Sequence, residues 1–262
     1  RCFKDDNIVH VDGSIGPKRD IETINIELIF ADLEVIDRRI EKTKKAAKSG
    51  DKKNKSELAI LEKVKETLEG NQLIKEGLFN KDEWVFIQQL HLLTSKPTLY
   101  VANVSEDEVV MAEENDMVKE LMEYVREEDA EVIVICAKIE EEIAQLEEEE
   151  KQLFLEELGL SQSGLDMIVE AGYKLLGLIT FLTSGPKETR AWTIVNGTKA
   201  PQAAGKIHTD FEKGFIRAEI TSYEDLVNAG SEVKAKELGL TRLEGKDYVI
   251  KDGDVVLFRF NV

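Results

Sequence analysis

PTLYVANVSEDEVVMAEENDMVKELMEYVREEDAEVIVICAK, residues 97–138, holds two short apolar runs separated by an acidic amphipathic stretch. PTLYVANV and AEVIVICAK are β-rich, bounded by polar residues, and apolar enough to be buried on both faces. Residues 105–130 between them read as a helix. Strand, helix and strand at this spacing make a βαβ unit with parallel strands. Its right-handed crossover brings the carboxyl ends of both strands to one edge, where open α/β sheets bind ligands. Asn103 and Cys136-Ala137-Lys138 are expected at that edge.

The first run ends on Asn103-Val104-Ser105-Glu106. A guanine-reading version of this step is Asn-Lys-x-Asp, whose Asp carboxylate accepts from the ring N1–H and the 2-amino group together. Glu106 adds a methylene and displaces those oxygens. Adenine has no 2-amino group, and its N1 is an acceptor that a carboxylate repels. Losing the Asp therefore removes a reason to prefer guanine and admits adenine through backbone groups. Val104, in place of Lys, is expected to offer an apolar surface to the base. The plainer reading is that Asn103 caps the strand and Glu106 opens the next helix, where acids suit the dipole. Four residues do not decide between the two.

The second run adds weight to the first reading. In P-loop GTPases the next parallel strand ends on Ser-Ala-Lys, whose backbone amides touch the base, and here it ends on Cys136-Ala137-Lys138. Yet the sequence contains no G-x-x-x-x-G-K-[ST] and no Asp-x-x-Gly. It therefore lacks the backbone cradle for phosphates, the phosphate Lys, the hydroxyl for Mg²⁺ and the switch. This is the base end of a nucleotide site without its phosphate end.

Upstream, residues 1–16 read as a short strand and a loop. A long helix is expected from Pro17 to Ser49 with Asp20 as N-cap, ending near Gly50-Asp51. A second runs from Ser56 to about Leu68, and the two make an antiparallel hairpin. A third helix is expected around 81–94. Downstream, 139–158 reads as one acidic helix and 165–176 as another. GLITFLT, AWTIVNG, GFIRAEI and DVVLFRFNV read as strands, with turns at Ser184-Gly185-Pro186, Asn196-Gly197 and Asp252-Gly253 and a helix over Ser222–Leu238. Residues 178–262 thus form a separate small α+β domain.

The 262 residues, 42% hydrophobic, can bury a core for two or three domains. A net charge of −18 argues against a surface coated by nucleic acid. KTKKAAKSGDKKNK, residues 42–55, departs from that average: seven Lys and one acid give +6, leaving −24 elsewhere. It forms the hairpin tip, either a solvated surface or the place where RNA phosphates are met. Two cysteines, Cys2 and Cys136, make neither a disulfide scaffold nor a zinc site, and suit a reducing cytoplasm. No signal peptide stands out, and the longest apolar run, LLGLITFL at 175–182, is too short to span a membrane. His10, His91 and His208 suggest no metal cluster, so no metal ligand and no catalytic acid or base is nominated. The first residue is Arg1, not Met, and an upstream segment is expected.

RCFKDDNIVHVDG, IETINIELIFADLE, YVANVSED, GKIHTDFEKGFIRAEI and YVIKDGDVVLFRFNV resemble the YchF, or Obg-like ATPase, family across essentially the whole chain. The resemblance implies an α/β fold: an incomplete P-loop NTPase (Rossmann-like) domain, 1–31 and 95–177, and an inserted helical hairpin or coiled coil, 32–94. A C-terminal α+β β-grasp (TGS) domain, 178–262, follows. It implies a ribosome-associated hydrolase preferring ATP to GTP, with Mg²⁺ and the phosphates held by the segment absent here. This chain alone is then expected to hold nucleotide weakly and to be inactive, with its exposed sheet edge lowering stability. Asn103, Val104, Glu106, Ala137 and Lys138 would contact or select the base. Cys136 departs from the more common Ser, and Gly16 from the family's Asp before Pro. Lys44, Lys45, Lys48, Lys52 and Lys53 would meet ribosomal RNA or tRNA, whereas DNA and membranes are not expected partners. The alternative is a non-enzymatic ribosome- or RNA-binding adaptor with a vestigial nucleotide site.

Overall fold

In the computed structural model, which describes residues 1–48, 51–126, 128, 130–185 and 188–261, the longest element is helix α1, Pro17–Ala47. Pro17 starts it, since its fixed φ and missing N–H suit the first helical position. Gly16, not Asp20, is therefore the N-cap. Ile29, Ile36 and Ile40 of α1 pack on Leu61, Val64 and Leu68 of α2, Lys52–Glu69. The second helix begins four residues before the expected Ser56 because the Asp51 carboxylate accepts from the Lys53 N–H at 3.0 Å. The expected end of the first helix at Ser49-Gly50 lies outside the described residues. Lys65 reaches Asp37 at 2.6 Å and Lys44 reaches Glu62 at 3.2 Å along the exposed flanks.

Helix α3, Lys81–Gln88, is set by a capping box between Asn80 and Glu83. It stops well before residue 94, because His91 takes a left-handed backbone (φ 53°) and turns the chain. The turn is held from α1. Asp32, only 2% exposed, accepts from the N–H groups of Leu93 and Thr94 at 2.8 Å each and from the Thr94 hydroxyl at 2.7 Å.

That anchored turn delivers the chain to β1, Leu99–Asn103. Helix α4, Asp116–Arg126, and strand β2, Glu131–Ile135, complete the βαβ unit. The strands are parallel, in register from Leu99↔Glu131 to Asn103↔Ile135. The helix is much shorter than the sequence pattern suggests. Ser105 donates to Glu108 at 2.6 Å, and Asn115 donates to Glu108 at 3.1 Å, so these side chains hold a loop where a helix was expected. Asn115 then caps α4, accepting from Met117 and Val118. Residues 127 and 129, in the expected helix end, lie outside the described residues. Among the described residues 1–16 there is no strand, but the Cys2 N–H reaches the Asn103 carbonyl at 2.7 Å.

Beyond β2, the acidic stretch folds as two helices, α5, Ala137–Ile143, and α6, Glu148–Leu158. A capping box between Glu147 and Glu150 restarts the helix. Helix α7, Gly164–Leu175, begins on the Glu140 carboxylate, which accepts from Gly164 at 2.7 Å and Leu165 at 3.0 Å. Only glycine fits at 164, since a Cβ would lie 2.6 Å from Ile135 Cγ2.

The chain divides into two compact units, Arg1–Ile168 and Val169–Val262. The second contains β3, Leu178–Ser184, β4, Thr189–Val195, α8, Ala200–Ile207, α9, Thr209–Lys213, and β5, Phe215–Ser222. It continues through α10, Tyr223–Ala229, α11, Glu232–Glu237, β6, Arg242–Glu244, and β7, Asp254–Phe260. The sheet order is β4-β3-β7-β5-β6, with β3 and β7 parallel and the other pairs antiparallel. Phe181, Ile220 and Phe258 pack with Ala200, Ala203 and Ala204, whose small side chains let α8 lie close to the sheet. Gly197 and Gly253 take positive φ at two of the expected turns. Pro186, in the third, lies outside the described residues. Gly230 (φ 79°) splits the expected 222–238 helix. Among the described residues no helix is long and apolar enough to cross a membrane.

Two outcomes follow for stability. Asp32→Ala strands two backbone N–H groups and is expected to cost about 3 kcal/mol in urea denaturation. In the second unit, Glu219 accepts from Arg259 at 2.8 Å and Lys236 at 2.9 Å, and these partners hold its carboxyl below the usual range. A lowered carboxyl stabilises the fold above its unfolded pKa and loses that contribution as pH falls through its folded pKa. Glu219→Gln is expected to be less stable than wild type at pH 7. The two denaturation curves should converge only as pH falls below the folded pKa of Glu219, under the ordinary glutamate range.

Candidate functional site

The end of β1 and the end of β2 meet through one side chain. Asn103 Oδ1 accepts from the Ala137 N–H at 3.0 Å, which fixes the orientation of the amide. Its Nδ2, with no hydrogen-bond partner among the described residues, is left as a donor. The Asn103 carbonyl accepts from Cys2, and the Cys2 carbonyl accepts from Asn115 Nδ2 at 3.0 Å. Asn115 also holds Glu108, which holds Ser105. The loop carrying Glu106 is thus tied at both sides, while Glu106 and Lys138 stand exposed. Asn115 and Glu108 were not singled out in the sequence. The signal available was an Asn immediately before an amphipathic helix, the signature of a cap.

Glu106, in the loop after β1, and Lys138, in the first turn of α5, face each other, Lys138 Nζ donating to Glu106 Oε2 at 2.6 Å. The hydrogen bond to Glu106, reinforced by its charge, raises the Lys138 ammonium above its ordinary pKa. Four of the five expected base-site residues, Asn103, Glu106, Ala137 and Lys138, are thus brought together.

Val104 is the exception. Its N–H bonds to the Ile135 carbonyl at 2.9 Å, extending the ladder by one residue. Strand alternation then turns its side chain to the same face as Ala102, and Val104 is 2% exposed among Val118, Leu121 and Val125. The expected apolar surface for a base is a core contact instead. Cys136 is likewise buried, packed on Ile139, Ile143 and Leu155, and caps α5 without a side-chain bond. Burial pushes the Cys2 thiol up, as expected of a structural cysteine.

The lysines of the hairpin lie at both of its described ends, Lys44, Lys45 and Lys48 at the end of α1 and Lys52 and Lys53 at the start of α2. All five are exposed. Lys44 pairs with Glu62 and Lys53 with Glu57 at 3.9 Å. Lysine suits the C-terminal turn of α1 but opposes the dipole at the first turn of α2.

His10, Asp12 and Asp20 offer one ligand atom each within 4.8 Å of one another, a grouping missed by comparing the histidines only among themselves. Arg19 pairs with Asp20 at 3.0 Å and Asp12 at 3.5 Å, so the carboxylates already have a cation. Against the burial that would raise it, Arg19 and His10 hold the Asp20 carboxyl below its usual range. An ion would have to displace that guanidinium.

A family model named YchF-GTPase_C, described as a protein of unknown function (DUF933), matches residues 178–261. The chain is 56% identical over 262 residues to the ribosome-binding ATPase YchF of Bacillus subtilis, covering all of this chain and 72% of that protein. Against the Haemophilus ducreyi protein of the same name it is 52% identical, covering 71% of it. The structure of the Schizosaccharomyces pombe YchF GTPase superposes with a TM-score of 0.84 at 36% identity, over 98% of this chain and 70% of that one. A GTP binding protein from Pyrococcus horikoshii OT3, at 19% identity and TM-score 0.59, shares the fold alone. Identity at this level, sustained over the whole chain, makes this sequence a member of the YchF family.

Proposed function

We propose that this chain is the base-selecting and ribosome-contacting part of a cytoplasmic nucleotide hydrolase that prefers ATP to GTP. The observation that carries the reading is the Asn103–Ala137 hydrogen bond, which joins the end of β1 to the start of α5 and, with Glu106 and Lys138, makes one open polar edge. Asn103 Nδ2 is a donor suited to N7 of a purine. Glu106, a methylene longer than Asp, does not reproduce the two-bond grip on guanine. The relatives' description as ribosome-binding ATPases supports the same reading.

In this reading 1–31 and 95–177 belong to the nucleotide-binding domain, 32–94 is the inserted hairpin, and 178–262 is a TGS-type β-grasp. The triphosphate and Mg²⁺ would be held by residues outside this sequence, which contains no phosphate-cradling motif. Catalysis would rest on transition-state positioning there, and no residue of this chain is assigned as acid or base. Lys44, Lys45, Lys48, Lys52 and Lys53 would meet ribosomal RNA or tRNA. Lys52 and Lys53 stand against the helix dipole at the first turn of α2, a local cost that an external anion would offset.

The full-length protein is expected to bind ATP with Mg²⁺ more tightly than GTP in equilibrium titration. Binding of neither nucleotide would leave a non-enzymatic adaptor as the reading. Glu106→Asp is expected to shift the ATP-to-GTP affinity ratio about tenfold toward GTP. An unchanged ratio would mean the base is read elsewhere. Val104→Lys is no part of this test, because it would bury an ammonium in the core. Replacing the five lysines by Ala should weaken ribosome co-sedimentation and flatten its salt dependence, by roughly 0.7 to 0.9 in log–log slope per lost phosphate contact. No change in either would return the tip to a solvated hairpin end.

A further inference from the structure

We infer that Lys138 is a specificity-determining residue: by clamping Glu106 it withholds that carboxylate from guanine and lifts its repulsion of adenine. The inference rests on the base-site reading above and deepens it. The observation is the Lys138 Nζ to Glu106 Oε2 contact at 2.6 Å, made between a side chain of the loop after β1 and one of the first turn of α5. Both ends are accessible, Lys138 being 65% and Glu106 41% exposed, so the pair stands at the open edge and not in a core.

Glu106 by itself would be a poor adenine selector. A free carboxylate is an acceptor with two oxygens, suited to the N1–H and 2-amino donors of guanine. It would repel the N1 lone pair of adenine. The extra methylene shifts those oxygens without removing their charge or their preference for donors. Lys138 changes both. It engages one of the two oxygens, so a paired grip on guanine would have to share that oxygen with an ammonium. It also cancels the charge, so an acceptor on the base meets a neutral pair. The ammonium has three donors, of which Glu106 takes one. Those remaining are matched to a base edge that presents a lone pair at N1, and mismatched to one that presents N–H.

The alternative is a solvated ion pair with no role in selectivity, since exposed pairs contribute little to stability. The two differ in what replacement does. ATP and GTP affinities of the full-length protein with Mg²⁺ can be measured by competition against a fluorescent adenine nucleotide, with thermal midpoints as a folding control. Lys138→Met keeps the stem and removes the charge. It is expected to lower the ATP-to-GTP affinity ratio about tenfold without moving the midpoint. Lys138→Arg should retain the wild-type ratio. Combining Glu106→Gln with Lys138→Met removes the uncompensated carboxylate and should recover ATP affinity, a rescue that loss of a structural contact would not produce. A wild-type ratio in Lys138→Met overturns the inference while the base-site reading stands. Wild-type protein that binds neither nucleotide overturns both.

Discussion

The parallel ladder between β1 and β2 is what the residues at the shared strand edge depend on. Register from Leu99↔Glu131 to Asn103↔Ile135 makes the two strands stop together. Val104 adds one further ladder bond, to the Ile135 carbonyl, before the chain departs. Asn103, on the opposite face from the buried Ala102 and Val104, can then reach across to the Ala137 N–H. A slip of one residue would exchange those faces, burying Asn103 and exposing Val104. The ladder is itself held from outside. Asp32 fixes the turn that feeds β1, and the glycine at 164 lets α7 approach the end of β2.

The polar connections around this edge form a graded series. At its base are buried or half-buried bonds: Cys2 to Asn103, Asn115 to Cys2, and Ser105 and Asn115 to Glu108. They replace what would have been the first turns of a helix and tie the Glu106 loop at both sides. Above them stands the exposed Glu106–Lys138 pair, which contributes little to folding and is free to serve a ligand. Rigid support beneath an accessible polar pair is the arrangement a selective site requires, because ordering a mobile loop would cost affinity.

Much of this was legible beforehand. The βαβ unit, the meeting of Asn103 with Ala137 and Lys138, the hairpin and the strands of the second unit all follow from periodicity and turn residues. Helix boundaries were less legible, because they are decided by side chains that compete for backbone groups: Asp51, Asn115 and Glu147 each set a start that apolar periodicity does not show. Helix α8 was missed, although Ala200, Ala203 and Ala204 recur at helical spacing, since alanine registers weakly as apolar. Val104 faces the core and not a base, because one more ladder bond keeps it in strand alternation, a register the motif alone does not show.

By itself the sequence determined the fold class, the family, the charge contrast between a cationic tip and an acidic remainder, and the residue types at the edge where β1 and β2 end. These depend on local pattern and composition, which survive in one dimension. Only the tertiary structure decided that Asn103 Oδ1 meets the Ala137 N–H, that Glu106 has a cation across from it, and that Asp12 and Asp20 share Arg19. Each of those pairings joins side chains whose separation depends on loop paths. Such paths are set by capping bonds and by left-handed residues such as Gly13 and His91, which hydrophobic periodicity does not encode.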